Sequence, residues 1–437
     1  MKKKKKIIKK TVYIGLAADI LHKGHINILK IASKLGEVTV GLLTDKAIST
    51  YKNLTYLTFG QRKAVLENIK FVKNVIPQES LDYRKNLNIL KPHFVVHGDD
   101  WKDGVQKNTR QQVISTLKKW SGKLIEPKYT KKISSTLIKQ KIFESGSLVD
   151  NRKSRLRRLM EAKKIVKIIE SHNPFTGLII EKFHVIKNKQ SVEFDGMWSS
   201  SLANSVIKGK PDNQSVDYSS RINGLNDILD VTTKPVIFDG DNGGRIEHLP
   251  YLVKSLERIG VSAIVLEDKK GLKKNSLFKN QQGVSQDSIK NFCKKIEVAK
   301  KSTISDDFLI IARIESFILG KKVSDAMKRA EAYSKSGADA ILIHSKEKDP
   351  KEIFLFSKKF KKSKNFKPLI AVPSTYSKTY EKDLIKNGFK IVIYANHFLR
   401  SIHPSLKKVA KSILKNERAF EIEKDLSPVN EIINLIK

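Results

Sequence analysis

Two groups of residues in this chain have the types and spacing needed for chemistry on phosphate-bearing molecules. The first lies in DILHKGHINIL (19–29), where His22 and His25 flank Lys23 and Gly24. Gly24 lets the backbone turn tightly into a helix whose N-terminus can hold phosphate. Two imidazoles at that point can stabilise charge developing on an attacked α-phosphate. A metal-binding or merely superficial HxxH pair would have the same local pattern. The second group is acidic. FDGDNGG (238–244) places Asp239 and Asp241 on one side of a strand end, and VLEDK (265–269) adds Glu267 and Asp268. Hard carboxylate oxygens in this number, acting largely through water, suit Mg2+ rather than zinc. A solvated acidic turn is the bland alternative, yet the rest of the chain is strongly basic. The loop that follows, EDKKGLKKNS (267–276), is polar and contains one Gly. It could close over a substrate and exclude water, or be a basic surface loop.

These residues need elements to position them. From Thr11 to about Phe143, short β-branched runs alternate with helical patterns. TVYIGL (11–16), EVTVGLL (37–43) and HFVVHGD (93–99) read as buried parallel strands, with HINILKIASKLG and RKAVLENIKFV as helices between them. That alternation predicts a Rossmann-like, doubly wound α/β domain with its site at the carboxyl ends of the strands. Near its end, ISSTLIK (133–139) offers hydroxyls and a cation at a predicted helix start, suited to phosphate. The expected organisation is a basic tail (1–10), this domain (11–143), a linker leading to an entry helix (144–160) and a second domain (161–437).

Strand–helix alternation resumes over roughly 270 residues, close to the length of a (β/α)8 barrel. Seven strands are predicted: FDGMWSS (194–200), PVIFDGD (235–241), AIVLEDK (263–269), FLIIARIES (308–316), AILIHS (340–345), PLIAVPS (368–374) and IVIYANH (391–397). The eighth is KIVKIIESHN (164–173) or GLIIEKF (177–183), and periodicity does not choose between them. Nearly every strand ends in a polar residue, among them Asp239, Glu267, Arg313, Glu315, His344 and Ser374. In a parallel barrel such ends converge on one face, where active sites sit.

Composition bounds the partners. The 437 residues carry 85 Lys and Arg against 45 Asp and Glu, a net charge of +40. That excess suggests nucleic acid, but it is spread along the whole chain and rich in Lys rather than the Arg that reads base edges. The one cysteine, Cys293, allows no intramolecular disulfide. MKKKKKIIKK is not followed by the apolar stretch of a signal peptide, and no run of 18 apolar residues occurs anywhere. A cytoplasmic enzyme with neither membrane nor nucleic acid as partner is the expectation.

The paired histidines with ISSTLIK resemble the HxGH cytidylyltransferase-like nucleotidyltransferase superfamily over residues 11–143. The resemblance implies that His22 and His25 contact nucleotide phosphates during in-line attack, with Ser135, Thr136 and Lys139 on the triphosphate and Lys46 or Lys52 assisting. CTP becomes the co-substrate. Gln61, Arg62 and HGDDWK (97–102) also look like family segments. Two departures stand out: Lys139 takes the place of a commoner Arg, and Leu16-Ala17-Ala18-Asp19 replaces a Gly-Thr-Phe-Asp type of turn. Residues 160–430 resemble the phosphoenolpyruvate mutase branch of the isocitrate lyase superfamily, in which Glu-Asp-Lys, five residues, then Asn-Ser marks a gating loop. Here Lys270 to Lys274 separate Lys269 from Asn275 and Ser276. The resemblance implies a Mg2+ site of Asp239, Asp241 and Glu267, and a pyruvyl pocket of Trp198, Ser200, Ser201 and Leu202. It places Asp212 near the transferring phosphoryl group, Lys273, Asn275 and Ser276 on the loop, and Arg313 and His344 on the phosphoryl group. It also favours KIVKIIESHN as the first strand, with GLIIEKF in the following helix. Asn242 stands where a Thr is commoner. The domain order is similar to that of the bifunctional enzyme of the fosfomycin pathway, which implies transfer of CMP to a phosphonate. Phosphonopyruvate hydrolysis is the nearest rival and C–C cleavage stands further off, since the loop lacks a Cys. A homo-oligomer, dimer or tetramer, is implied by the family.

Overall fold

The structure is a computed structural model that describes residues 10–51, 54–102, 106–128, 149–187, 190–271, 273–278 and 281–436. The chain divides into two compact units. One is Met1–Ser147 with Glu161–Lys163 and Val185–Val192; the other is Leu148–Met160, Lys164–His184 and Glu193–Lys437.

The first unit is built on a five-stranded parallel sheet of β1 (Thr11–Leu16), β2 (Glu37–Leu43), β3 (Asn74–Gln78), β4 (Phe94–Val96) and β5 (Lys123–Ile125), in the order β3-β2-β1-β4-β5. β1 and β2 are central, which is why they read as continuous apolar runs: a strand covered on both faces has no polar side. The outer strands lacked that signal. β3 is NVIPQ, and its Pro77 removes a ladder donor, which only an edge tolerates. HFVVHGD contributes only Phe94–Val96, because Asp99–Trp101 turns into a 3-10 helix. Gly41 is required on β2, since a Cβ there would lie 1.7 Å from the Tyr13 hydroxyl. Strand order reverses between β1 and β4, and the crevice beyond their carboxyl ends is where such sheets bind ligands.

An entry helix α2 (Val149–Ala162), most of which belongs to the second unit, buries Leu156 and Leu159. Eight parallel strands then close a barrel: β6 (Val166–Glu170), β7 (Gly196–Ser199), β8 (Val236–Asp239), β9 (Ala263–Glu267), β10 (Leu309–Ile314), β11 (Ala340–Ile343), β12 (Leu369–Ala371) and β13 (Phe389–Tyr394). Closure runs through β13 to β6 (Val392↔Lys167) and β6 to β7 (Ile168↔Gly196). The first strand is therefore within KIVKIIESHN. GLIIEKF lies on helix α3 (Pro174–Lys182), started by the Asn173 cap and Pro174 at its first position. Fully buried Phe238, Ile264, Phe308, Ile310, Ile341 and Val392 fill the interior and inner layer, each worth about 1.5–3 kcal/mol of burial. Most strands are shorter than the sequence pattern suggested. Asp241, Asp268, Glu315, His344 and Ser374 sit just past the ends, in the loops of one barrel face.

Candidate active site

The wall of the site begins at β7. Trp198 on this strand is buried, and Ser200 ends it by capping helix α4 (Ser201–Ile207), accepting from the Ala203 amide at 3.3 Å. Ser201 donates its hydroxyl to Asp239 Oδ2 at 2.7 Å, which ties the helix start to the end of β8. Asp241 follows with φ +49°, a left-handed conformation that costs a non-glycine residue about 1 kcal/mol. Arg221, from helix α5 (Tyr218–Leu229), holds it there. Its guanidinium reaches Asp241 Oδ2 at 3.3 Å and Asn204 Oδ1 at 3.2 Å, and lies 4.2 Å over the Phe238 ring.

The loop after β9 folds back over this wall. Lys273 Nζ pairs with Asp212 Oδ1 at 2.9 Å and also with Asp241 and Ser201. Burial alone would lower its pKa, but the fields of Asp239, Asp241, Asp212 and Glu267 outweigh that and raise it. Asn275 donates its amide to Asp212 Oδ2 at 2.9 Å, while its own Oδ1 accepts from the Leu277 amide at 3.0 Å. Lys269 anchors the loop by donating to the Lys274 carbonyl at 2.7 Å and to Ser276 Oγ at 2.8 Å.

The opposite side comes from β10 and β11. Arg313 Nε donates to Glu315 Oε1 at 2.6 Å, and its Nη2 lies 2.9 Å from His344 Nδ1. Between these walls is a cavity of about 60 Å³, lined among others by Trp198, Leu202, Asp212, Glu267, Arg313 and His344. Burial and the neighbouring Arg313 guanidinium hold His344 below the usual histidine range. Glu267 is pushed up to about 7, by burial first and by Glu315, against the pull of Arg313 and Lys269. Asp239 goes the other way: burial would raise it, but Lys273, Arg313 and Arg221 bring it down to about 2.

Among the described residues, no three His, Cys, Asp or Glu side chains stand close enough to share an ion directly. The same place nevertheless accommodates a cation, since the Lys273 ammonium sits in the combined field of four carboxylates. Mg2+ keeps several of its waters and takes oxygen donors, so Asp239, Asp241 and Glu267 fit it as a water-bridged set.

In the first unit, His22 caps helix α1 (Lys23–Ser33). Its Nδ1 accepts from the Gly24 amide at 3.1 Å, and His25 Nδ1 accepts from the His22 amide at 3.4 Å. A neutral ring that accepts at Nδ1 carries its proton on Nε2, the tautomer that donates to an anion. Burial lowers the His22 pKa and favours that neutral form. The ring centroids are 4.1 Å apart. The turn that precedes them contains Ala18 at φ +47° and is held by fully buried Arg62, which donates to the carbonyls of Ala17 at 2.5 Å and Leu43 at 2.9 Å. Beyond β4, His97 stacks flat on Trp101 with centroids 3.8 Å apart, and Trp101 Nε1 donates to Glu126 at 2.7 Å.

Residue by residue, the barrel brings together Trp198, Ser200, Ser201, Leu202, Asp212, Asp239, Glu267, Lys273, Asn275, Ser276, Arg313 and His344 around one cavity. Asp241 joins through Lys273 and Arg221. Lys46 is exposed on the short helix Asp45–Ile48. Lys52, Ser135, Thr136 and Lys139 lie outside the described residues. Sequence reasoning gave no individual role to Lys269, Glu315, Arg221 or Asn396, though Glu315 was among the polar strand ends. The first two had a signal, because Glu267 and Lys269, like Arg313 and Glu315, are two residues apart and share a side of the chain. Arg221, on a helix, had none.

Comparison with known proteins follows the same division. Residues 156–414 match the phosphoenolpyruvate phosphomutase family, and residues 13–141 match the cytidylyltransferase-like family. The chain is 34% identical over 284 residues to phosphoenolpyruvate phosphomutase of Tetrahymena pyriformis, covering 64% of this chain and 90% of that protein. Glycerol-3-phosphate cytidylyltransferase of Bacillus subtilis is 34% identical over 98 residues, 22% of this chain and 74% of that protein. The crystal structure of a phosphonopyruvate hydrolase in complex with oxalate and Mg++ superposes with a TM-score of 0.58 at 31% identity, covering 65% of this chain and 94% of that one.

Proposed function

The chain belongs to the phosphoenolpyruvate phosphomutase family, and from that premise we propose that its barrel interconverts phosphoenolpyruvate and phosphonopyruvate with Mg2+. The observation that carries this reading is one cavity lined by Arg313, His344, Asp212 and Asn275, with Lys273 and Asn275 of the loop after β9 bonded to Asp212. In the forward direction the bond between phosphorus and the enol oxygen breaks and a bond between phosphorus and carbon 3 forms, leaving a ketone at carbon 2. The transferring group is metaphosphate-like, so the protein must mainly position it and stabilise spread charge. Arg313 and His344 bind the phosphoryl oxygens. Asn275 and Asp212, locked by their 2.9 Å hydrogen bond, hold the group in line as it moves from oxygen to carbon. Trp198, Ser200, Ser201 and Leu202 hold the pyruvyl part. Lys273 and Ser276 bring the loop down and keep water out, without which hydrolysis to pyruvate and phosphate would win. When bound at Asp239, Asp241 and Glu267, Mg2+ supplies a Lewis acid for the enolate oxygen.

For the first unit we propose transfer of CMP from CTP to a phosphonate, 2-hydroxyethylphosphonate being the acceptor suggested by analogy. The Nε2–H groups of His22 and His25 are suited to the α-phosphate, where negative charge grows as the acceptor oxygen attacks and pyrophosphate leaves. Together the two activities make a bifunctional enzyme of phosphonate biosynthesis acting in the cytoplasm. No helix among the described residues is long and apolar enough to cross a membrane. A homo-oligomer is part of the proposal. The 20-residue helix His397–Asn416 buries none of its residues, and Leu414 and Phe420 are 81% and 77% exposed.

The deciding experiment follows phosphorus by NMR after mixing the protein with Mg2+ and phosphonopyruvate. Phosphoenolpyruvate as product supports the mutase. Pyruvate plus phosphate would make the barrel a hydrolase, and an unchanged spectrum would refute both. Light scattering after gel filtration checks the oligomer, which a monomer mass would overturn.

A further inference from the structure

We propose that Glu315 is a positioning residue that couples closure of the 269–276 loop to alignment of the Arg313–His344 pair, an inference that rests on the mutase reading of the barrel. Glu315 lies one residue past β10 and is fully buried. A buried carboxylate is costly unless each oxygen is partnered, and here the two oxygens divide between different parts of the site. Oε1 accepts from Arg313 Nε at 2.6 Å and stands 3.2 Å from His344 Nδ1. Oε2 accepts from Ser276 Oγ at 2.5 Å and stands 3.5 Å from Lys269 Nζ. The Glu315 amide donates to Asp268 Oδ1 at 3.0 Å, so the backbone behind the carboxylate is fixed as well.

Ser276 is the loop's end of this connection, and its hydroxyl has no remaining capacity. It donates its one proton to Glu315 and accepts from Lys269 Nζ at 2.8 Å and from Arg313 Nη2 at 2.9 Å, which uses both lone pairs. In the closed arrangement Ser276 therefore serves the loop's attachment rather than a substrate. Withdrawal of the loop removes one acceptor from Arg313 and one donor from Glu315 in the same movement. The guanidinium that faces the phosphoryl group is then held by fewer partners. Closing the loop restores both, so water exclusion and phosphoryl alignment are acquired together.

The test uses the full-length protein and three variants: Glu315→Gln, Ser276→Ala and the double variant. Hydrogen–deuterium exchange of the peptide spanning 269–278, in the presence of Mg2+ and oxalate, reads the loop's attachment without reference to turnover. The expected result in each single variant is at least about tenfold faster exchange in that peptide, with exchange in the remaining barrel peptides within twofold of wild type. Turnover of phosphonopyruvate is expected to fall about 100-fold with KM within threefold, the signature of misplaced groups rather than lost ground-state binding. The double variant is expected to match the worse single variant, because both cut one connection. Exchange or kcat remaining within twofold of wild type in Glu315→Gln, or additive effects in the double variant, would overturn the coupling. If Glu315→Gln does not fold, Ser276→Ala decides by the same two readouts. A wild-type protein that forms no phosphoenolpyruvate defeats the mutase reading separately, while exchange still reports on the attachment.

Discussion

Arg329→Met is expected to destabilise the barrel strongly at pH 8 and much less at pH 5. Asp268, directly after β9, is fully buried and accepts from Arg329 Nη1 at 3.1 Å, Tyr333 Oη at 2.8 Å, Gln286 Nε2 at 2.8 Å and the Glu315 amide. Burial outweighs these partners and holds its pKa up at about 6, above the ordinary 3.8. The folded protein therefore binds a proton that the unfolded chain has released between those values, and stability falls as pH rises through that window. At pH 8 Asp268 is ionised, and Met in place of Arg329 leaves it without its cation. Removing one partner of a buried pair costs about 3–5 kcal/mol. At about 2–4 °C per kcal/mol for a unit of this size, the melting temperature should drop by about 6–20 °C. At pH 5 the carboxyl is already protonated in the fold. What remains is the loss of the Arg329 bonds to Asp325 at 2.9 Å and to the Asp287 carbonyl at 2.9 Å, about 1–2 kcal/mol in all. Scanning calorimetry of the barrel transition at both pH values measures the difference. Equal drops at pH 5 and pH 8, or a drop below about 2 °C at pH 8, would show that Arg329 is not the counter-ion that holds ionised Asp268 in the fold.

Asn275→Ala should lower phosphonopyruvate turnover by about 100-fold or more with the melting temperature unchanged, since it removes an oriented donor and no core packing; steady-state kinetics beside calorimetry tests it. Arg313→Lys keeps the charge but loses the fork that spans Glu315, Ser276 and His344. Turnover should fall about 100-fold, and wild-type turnover in that variant would show that a point charge suffices. Chelation with EDTA should abolish phosphoenolpyruvate formation and added Mg2+ restore it; full activity after exhaustive chelation would remove the metal from the reading. His25→Ala should reduce pyrophosphate release from CTP and 2-hydroxyethylphosphonate by about 1000-fold, with an unchanged calorimetric transition of the first unit as evidence of folding. Undiminished release in that variant would exclude the histidine pair from the chemistry.

Much of this architecture is legible in the sequence. β1 and β2 could be read as buried strands because central parallel strands are apolar throughout, whereas β3 and β5 could not, being short edges with polar residues or Pro77. Seven barrel strands followed from the same signal. The eighth needed the family's pattern, because Val166–Glu170 and the helix Pro174–Lys182 are both short apolar runs without a distinguishing period. The net charge of +40 pointed toward polymeric nucleic acid, yet Lys269, Lys273, Arg221 and Arg313, the cations around the barrel cavity, are buried or half-buried against carboxylates.

Which side chains reach the carboxyl ends of the strands follows from the local pattern of residues, because strand position and side-chain parity are local properties of the chain. That pattern does not determine what those side chains do to one another. Glu267 at about 7 and Asp239 at about 2 are carboxylates of nearly equal intrinsic strength and both are buried; Glu315 stands beside the first, Arg221 and the Ser201 hydroxyl beside the second. The roles of Arg221 and Glu315 likewise depend on partners 20 and 39 residues away in the chain. Electrostatic energies in a buried site follow distance and desolvation in space, and only the closed barrel decides those.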